Sequence, residues 1–133
     1  MTVMKACLSL LCLAVLAGCA TSSTLVSRKQ EKLAVYEALS PEFKIAVDQG
    51  TIKVGMPMEA VFIAWGKPSQ VMQSGTAVGE QTIWLYQGGF LQETRYWGRR
   101  RLHTDYTPMT YVRAEVIFGQ GVVNSWRTLP QPE

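Results

Sequence analysis

The 133-residue chain holds one histidine, His103, and three cysteines, Cys7, Cys12 and Cys19, with none beyond position 19. A metal centre needs several His, Cys or carboxylate ligands gathered together, and this pattern offers no such cluster. There is no Gly-x-Ser-x-Gly elbow and no phosphate-cradling glycine loop; Gly88-Gly89 is an isolated pair that reads as a bend. His103 has Asp105 two residues away, a spacing that arises by chance on an extended segment, so it is given no catalytic role. Thirteen Lys and Arg against ten Asp and Glu give a net charge of +3, too mild to imply a nucleic-acid partner. The apolar run Ala6 to Ala17 falls short of the ~20 residues that span a bilayer as a helix. Internal repeats and low-complexity tracts are absent as well.

What is present begins with the leader. Met1 to Lys5 carries one positive charge, Ala6 to Ala17 carries none, and Ala17 and Gly18 are small, the three-part layout of an export signal. A start at Met4 would give a Met-Lys opening and the same layout. Leu16-Ala17-Gly18-Cys19 resembles the lipobox of bacterial lipoproteins. The resemblance implies cleavage of residues 1–18 and acylation of Cys19, where two chains suffice for stable anchoring at about 0.8 kcal/mol per buried methylene. Ala20, in place of the Asp that retains many such proteins in the inner membrane, favours the outer membrane. A mature chain of 115 residues would then be one domain with a net charge of +2, no disulfide and no thiol ligand.

Residues 19–24 form a small, polar, lipidated tether. Residues 25–39, with Leu33, Tyr36 and Leu39 at near-helical spacing, predict an amphipathic helix. Ser40 is a hydroxyl cap, Pro41 suits the first helical position and Glu42 the positive end of the dipole, so a helix runs from Pro41 to about Gln49 and ends at Gly50. Phe43, Ala46 and Val47 share its buried face. After an extended connector, Met58 to Trp65 predicts a second helix burying Met58, Val61, Phe62 and Trp65, closed by Gly66 and Pro68. The period then changes to two. Thr82 to Tyr86, Tyr111 to Phe118 and Val122 to Thr128 read as strands. The last two join in a hairpin at Gly119-Gln120-Gly121, with Val112, Ala114, Val116 and Phe118 inward. Residues 129–133 read as a frayed tail. The fold class expected is α+β: two short helices packed on a small three-stranded antiparallel sheet, preceded by a signal peptide and an N-terminal helix. Trp65, Trp84 and Trp126 are expected to pack rather than to bind.

Residues 40–128 resemble the SmpA/OmlA (BamE-like) outer-membrane lipoprotein domain. The carriers are Ile52-Lys53-Val54-Gly55-Met56, the following helix, Gly66-Lys67-Pro68, Trp84-Leu85-Tyr86, and Val116-Ile117-Phe118 before Gly121-Val122-Val123. That resemblance implies a lipid-anchored periplasmic adaptor beside the β-barrel assembly machinery. It also implies no cofactor beyond the lipid on Cys19, no nucleic acid and no small-molecule substrate. Two features depart from the family pattern. Pro57 stands where a hydroxyl cap is usual, and residues 88–109 form a long basic, aromatic arm.

The arm holds Arg95, Trp97, Arg99, Arg100 and Arg101 with Tyr96, His103 and Tyr106. Guanidinium groups pair with phosphate and aromatic rings suit a lipid interface. The same residues suit a protein hot spot, or serve only to keep a solvated hairpin soluble. The functional expectations are therefore an envelope-assembly adaptor, or else a periplasmic binder or inhibitor recognising an enzyme, the cell wall or anionic lipid. An enzyme is disfavoured for want of a catalytic constellation.

Overall fold

The computed structural model describes residues 23–132. The expected leader, Cys19 and most of the tether lie outside the described residues. Among the described residues, four short helices precede four strands: α1 Leu25–Glu31, α2 Leu33–Ala38, α3 Pro41–Asp48, α4 Met58–Trp65, β1 Gln70–Thr76, β2 Gly79–Gly98, β3 Arg101–Gly119 and β4 Val122–Thr128. The strands form one antiparallel meander in the order β1-β2-β3-β4.

The α+β class stands, but the sheet has four strands where three were expected. The additional strand is β1, whose residues 70–76 contain Val71 and Met72 as the only large apolar side chains, both exposed. An edge strand with no buried face leaves no period-two signal, and its order comes from pairing with β2 from Gln70↔Leu85 to Thr76↔Gly79. The single helix expected over residues 25–39 is two. The chain turns at Lys32 (φ −116°, ψ 35°). The turn directs Leu25 and Arg28 inward from α1, and Val35 and Tyr36 from α2. Leu33, expected on the buried stripe, is exposed.

Helix α3 forms as its cap dictates. The Ser40 hydroxyl accepts from the Phe43 N–H at 3.4 Å, Pro41 opens α3, and Gly50 leaves it at φ +65°. Helix α4 starts after Pro57 with no side-chain cap; its first N–H, on Met58, donates to the Gly121 carbonyl at 3.2 Å. The connector between α3 and α4 runs beside β4. Gly55 N–H donates to Val123 O at 2.8 Å, and Val123 N–H returns to Met56 O at 2.8 Å. Ala46 and Val47 of α3, the connector's Ile52 and Met56, and Ala60, Val61, Ile63 and Ala64 of α4 pack on Tyr86, Ala114, Val116, Phe118 and Val123 of the sheet. Each fully buried Val, Ile, Met or Phe contributes roughly 1.5–3 kcal/mol.

Among the described residues, no helix lies on the sheet's other face. By strand alternation and register, Met72, Ile83, Leu85 and Ile117 lie there, with the Arg127–Glu115 ion pair (2.6 Å) beside them. The β3–β4 turn places Gln120 (φ 53°) and Gly121 (φ 81°) in the left-handed region, as a two-residue turn requires. Leu129, expected in the frayed tail, still donates its N–H to Arg113 O at 2.8 Å.

Candidate functional site

Beyond Tyr86 the middle two strands outrun their neighbours. β2 and β3 pair alone from Gln87↔Val112 to Gly98↔Arg101, a two-stranded ribbon. Twelve residues at ~3.3 Å each make it about 40 Å long. The arm expected over residues 88–109 is thus the distal part of a continuous hairpin.

The ribbon begins at a β-bulge. Tyr86 faces Ala114 but Gln87 faces Val112, so Arg113 is the extra residue. The bulge resets the side-chain phase of β3. Val112, expected inward with Ala114, pairs instead with Gln87, and Tyr111 falls opposite Gly88. Gly88 and Gly89, expected to form a bend, are straight strand residues paired with Tyr111 and Thr110. The Tyr111 ring covers Gly88 and meets Phe90 edge-on, with centroids 5.9 Å apart.

Two faces alternate along the ribbon. One carries Phe90, Met109, Tyr96 and His103, with Gln92, Thr94, Asp105 and Thr107 between them. Tyr96 and His103 stack with centroids 5.4 Å apart, and His103 Nε2 lies 3.1 Å from Gly98 O. A hydrogen bond to the Asp105 carboxylate pushes the Tyr96 phenol above its ordinary value. The opposite face carries Leu91, Pro108, Glu93, Tyr106, Arg95, Trp97 and Leu102. Arg95 pairs with Glu93 two residues back on its own strand. Pro108 has no N–H to donate, and the ribbon's outer edges are unpaired, the place where a strand tolerates it.

At the tip, Arg99 (φ 45°) and Arg100 (φ 65°) form the two-residue turn. Positive φ at both positions suits Asn-Gly; a residue with a Cβ in that region costs roughly 1–2 kcal/mol. Arg101 follows opposite Gly98. Among the described residues, no ion pair engages Arg99, Arg100 or Arg101. The ribbon therefore gathers Arg95, Trp97, Arg99, Arg100 and Arg101 into its outer half, and Trp97 stands directly across from Leu102.

At the base is a cluster that sequence reasoning missed. The buried Arg28 of α1 donates from Nε to Ile63 O (2.9 Å) and from Nη2 to Ala64 O (3.1 Å), at the C-terminal end of α4. Its Nη1 donates to Ser23 O. The Tyr86 hydroxyl donates to Gly66 O at 3.0 Å, and burial pushes that phenol far above its ordinary value while the nearby Arg28 charge opposes the shift. Basic residues near helix C-termini are common, but nothing in the residues around position 28 announces a contact with a helix 35 residues away.

Trp65 and Trp84 pack against the core as expected, whereas Trp126 stays 42 % exposed. Trp65 meets Tyr86 and Trp126 edge-on at 5.4 and 6.2 Å, and Trp84 meets Phe118 at 4.8 Å. Among the described residues, no three His, Cys, Asp or Glu side chains gather closely enough to hold a metal ion. A trough of about 730 Å³ between the β1–β2 and β3–β4 turns is lined by Gln73, Glu80, Thr82 and Asn124, with Glu80 its single titratable side chain. No described helix is long and apolar enough to cross a membrane. No protein-family model, curated protein or solved structure matches this chain.

Proposed function

We propose that the chain is a non-catalytic outer-membrane lipoprotein, acylated at Cys19, that serves as a periplasmic adaptor in the assembly of envelope or β-barrel proteins. It works through exposed surfaces and takes no cofactor, nucleic acid or small-molecule substrate. The observation that carries the reading is the extent of surface given over to contact, on the ribbon and on the uncovered sheet face together. Some 26 residues, Gln87 to Val112, are committed to an exposed projection that adds little to the core. A free two-stranded ribbon is marginal in water, so its exposed aromatic and apolar side chains need another reason to be there. The sheet face with Met72, Ile83, Leu85 and Ile117, which no described helix covers, offers a second contact surface of suitable chemistry. The SmpA/OmlA resemblance of residues 40–128 and the Leu16–Cys19 motif are the grounds for proposing this compartment and the adaptor class.

Photo-crosslinking in intact cells tests this reading, with the crosslinker placed at Met72 on the sheet face. Recovery of a β-barrel assembly component supports the adaptor. Recovery of a periplasmic enzyme or of cell-wall material instead supports the alternative, a binding or inhibitor lipoprotein. That second reading is favoured by one feature, the unpaired arginines at the tip, which suit an acidic or phosphate-bearing target.

A further inference from the structure

We propose that the Gln87–Val112 ribbon is a second membrane contact, lying along an anionic bilayer with Arg99 and Arg100 of the tip turn among the headgroups. The proposal rests on the acylation of Cys19 put forward above, and it assigns the ribbon to lipid.

The ribbon and the tether leave the domain at the same end. Ser23, the first described residue, accepts a hydrogen bond from Arg28, and Arg28 donates to Ile63 and Ala64 at the C-terminal end of α4. Gly66, just past that end, accepts the Tyr86 hydroxyl, and Tyr86 is the last sheet residue before the ribbon. Ser69 beside it accepts the Gln87 N–H at 3.0 Å. The other end of α4 faces the β3–β4 turn through the Met58–Gly121 hydrogen bond. An acylated Cys19 therefore holds the ribbon's root, and not the opposite end of the domain, next to the bilayer.

Reach then sets the ribbon's attitude. Four residue steps separate Cys19 from Ser23, at most about 14 Å of chain. A ribbon about 40 Å long cannot stand upright on its tip while so short a tether keeps Cys19 in the membrane, so any contact it makes with the bilayer has it lying along the surface. The face suited to lie downward is the one bearing Trp97, Leu91, Tyr106 and Leu102, exposed by 77, 63, 60 and 53 %. On that face the sole acidic side chain, Glu93, is paired with Arg95; Asp105 lies on the opposite face beside Tyr96. Trp and Tyr favour the headgroup region, and basic side chains are attracted to anionic lipid. The turn does not call for arginine, since both positions are at positive φ, so lipid phosphate gives these side chains a role that the fold does not.

The test uses the exported, full-length protein reconstituted into vesicles of phosphatidylcholine alone, or mixed in equal parts with phosphatidylglycerol, each doped with brominated lipid that quenches tryptophan. Subtracting the Trp97→Phe variant isolates Trp97 from the other tryptophans. The expected result is flotation of acylated protein with either vesicle, and Trp97 quenching that is strong only where phosphatidylglycerol is present. Replacing Arg99→Asn and Arg100→Gly together improves the turn yet removes two charges. Each charge at such a surface is worth about fivefold, so the ratio of docked to undocked ribbon should fall roughly 25-fold. Flotation with Trp97 unquenched in both vesicles overturns the ribbon contact and leaves the anchor standing. Quenching unchanged in the double variant overturns the role of the arginines. Unmodified protein that fails to float overturns the anchor itself.

Discussion

The side chain of Tyr111 occupies the space that a side chain at Gly88 would need: a Cβ on Gly88 would stand 2.8 Å from a Tyr111 ring carbon and 3.1 Å from its hydroxyl. The two residues are direct partners at the ribbon's root, so the glycine provides clearance and not flexibility. Gly88→Val is therefore expected to push the ring away, break its edge contact with Phe90 and destabilise the protein by about 1–3 kcal/mol, the usual range for overpacking. Tyr111→Ala should lose less in the Gly88→Val background than alone, because there the ring is already displaced and removing it relieves the clash. Urea unfolding of the four members of the cycle reads the coupling. Additive effects would show that the ring and the glycine are independent.

Arg28 ties the first helix to the end of the fourth. Its guanidinium satisfies carbonyls of Ile63, Ala64 and Ser23 and is buried. Arg28→Ala leaves the buried α4 carbonyls unpaired and removes a positive charge from the negative end of a helix, for an expected loss of about 2–3 kcal/mol. Arg28→Lys should recover only part of that, since one ammonium cannot reproduce the planar fork that reaches two successive carbonyls. Hydrogen exchange provides the local readout. Amides of Leu25–Glu31 should lose protection ahead of the sheet in either variant; equal loss across the whole protein would contradict a local clamp.

Much of the fold is legible where local chemistry agrees with the final packing. Ser40-Pro41-Glu42, Gly50 and Gly66 bound their helices because caps and left-handed positions depend on a few neighbouring residues. The last strand, Val122–Thr128, follows from its turn and from alternation. What escaped the sequence depends on distant partners. β1 has no buried face and is held by pairing with β2. The break at Lys32 follows from where Leu25, Arg28, Val35 and Tyr36 must pack, and no glycine or proline marks it. The bulge at Arg113 leaves no composition signal, yet it decides which way Val112 and Tyr111 point. Of the candidate residues, Arg95, Trp97, Arg99, Arg100 and Arg101 stood out by charge and aromaticity. Their placement on one ribbon needed the register, and the Arg28 hydrogen bonds to Ile63 and Ala64 that bring Ser23 to the ribbon's root are wholly tertiary.

Asp48 supplies a pH signature. A hydrogen bond from the Lys29 ammonium (2.6 Å), aided by the Tyr36 hydroxyl at 2.9 Å, holds its carboxyl below the ordinary carboxylate value. The same contacts raise Lys29 above its ordinary value, with the Asp48 hydrogen bond the main cause. A carboxylate favoured by folding contributes stability above the unfolded value of about 3.9, and that contribution disappears as pH falls through the lower folded value. The lysine's part holds below its unfolded value of about 10.4 and fades as pH rises through the raised one. The stability difference between wild type and Asp48→Asn should thus be flat through neutrality and shrink at both extremes. The pair is partly exposed, so the difference is small and should weaken with added salt. A difference that grows on acidification would contradict the assignment.

Helix α4 and the β3–β4 turn meet at one hydrogen bond, from Met58 N–H to Gly121 O, and the residues flanking it should respond very differently to substitution. Pro57 caps α4 without a side-chain acceptor. Pro57→Ser adds a hydroxyl able to cap the first turn, a gain of about 1 kcal/mol, but loosens the unfolded chain by a similar 0.4–1 kcal/mol, so stability should change little. Gly121 sits at φ +81°, where a β-branched residue is strained whatever the space around it. Gly121→Val must distort the turn that presents the carbonyl to α4, and the expected loss is about 2 kcal/mol or more, with weaker protection of the Met58 and Val123 amides. Urea midpoints decide the magnitudes and hydrogen exchange decides the place. A Gly121→Val protein as stable as wild type would mean that the turn does not carry α4.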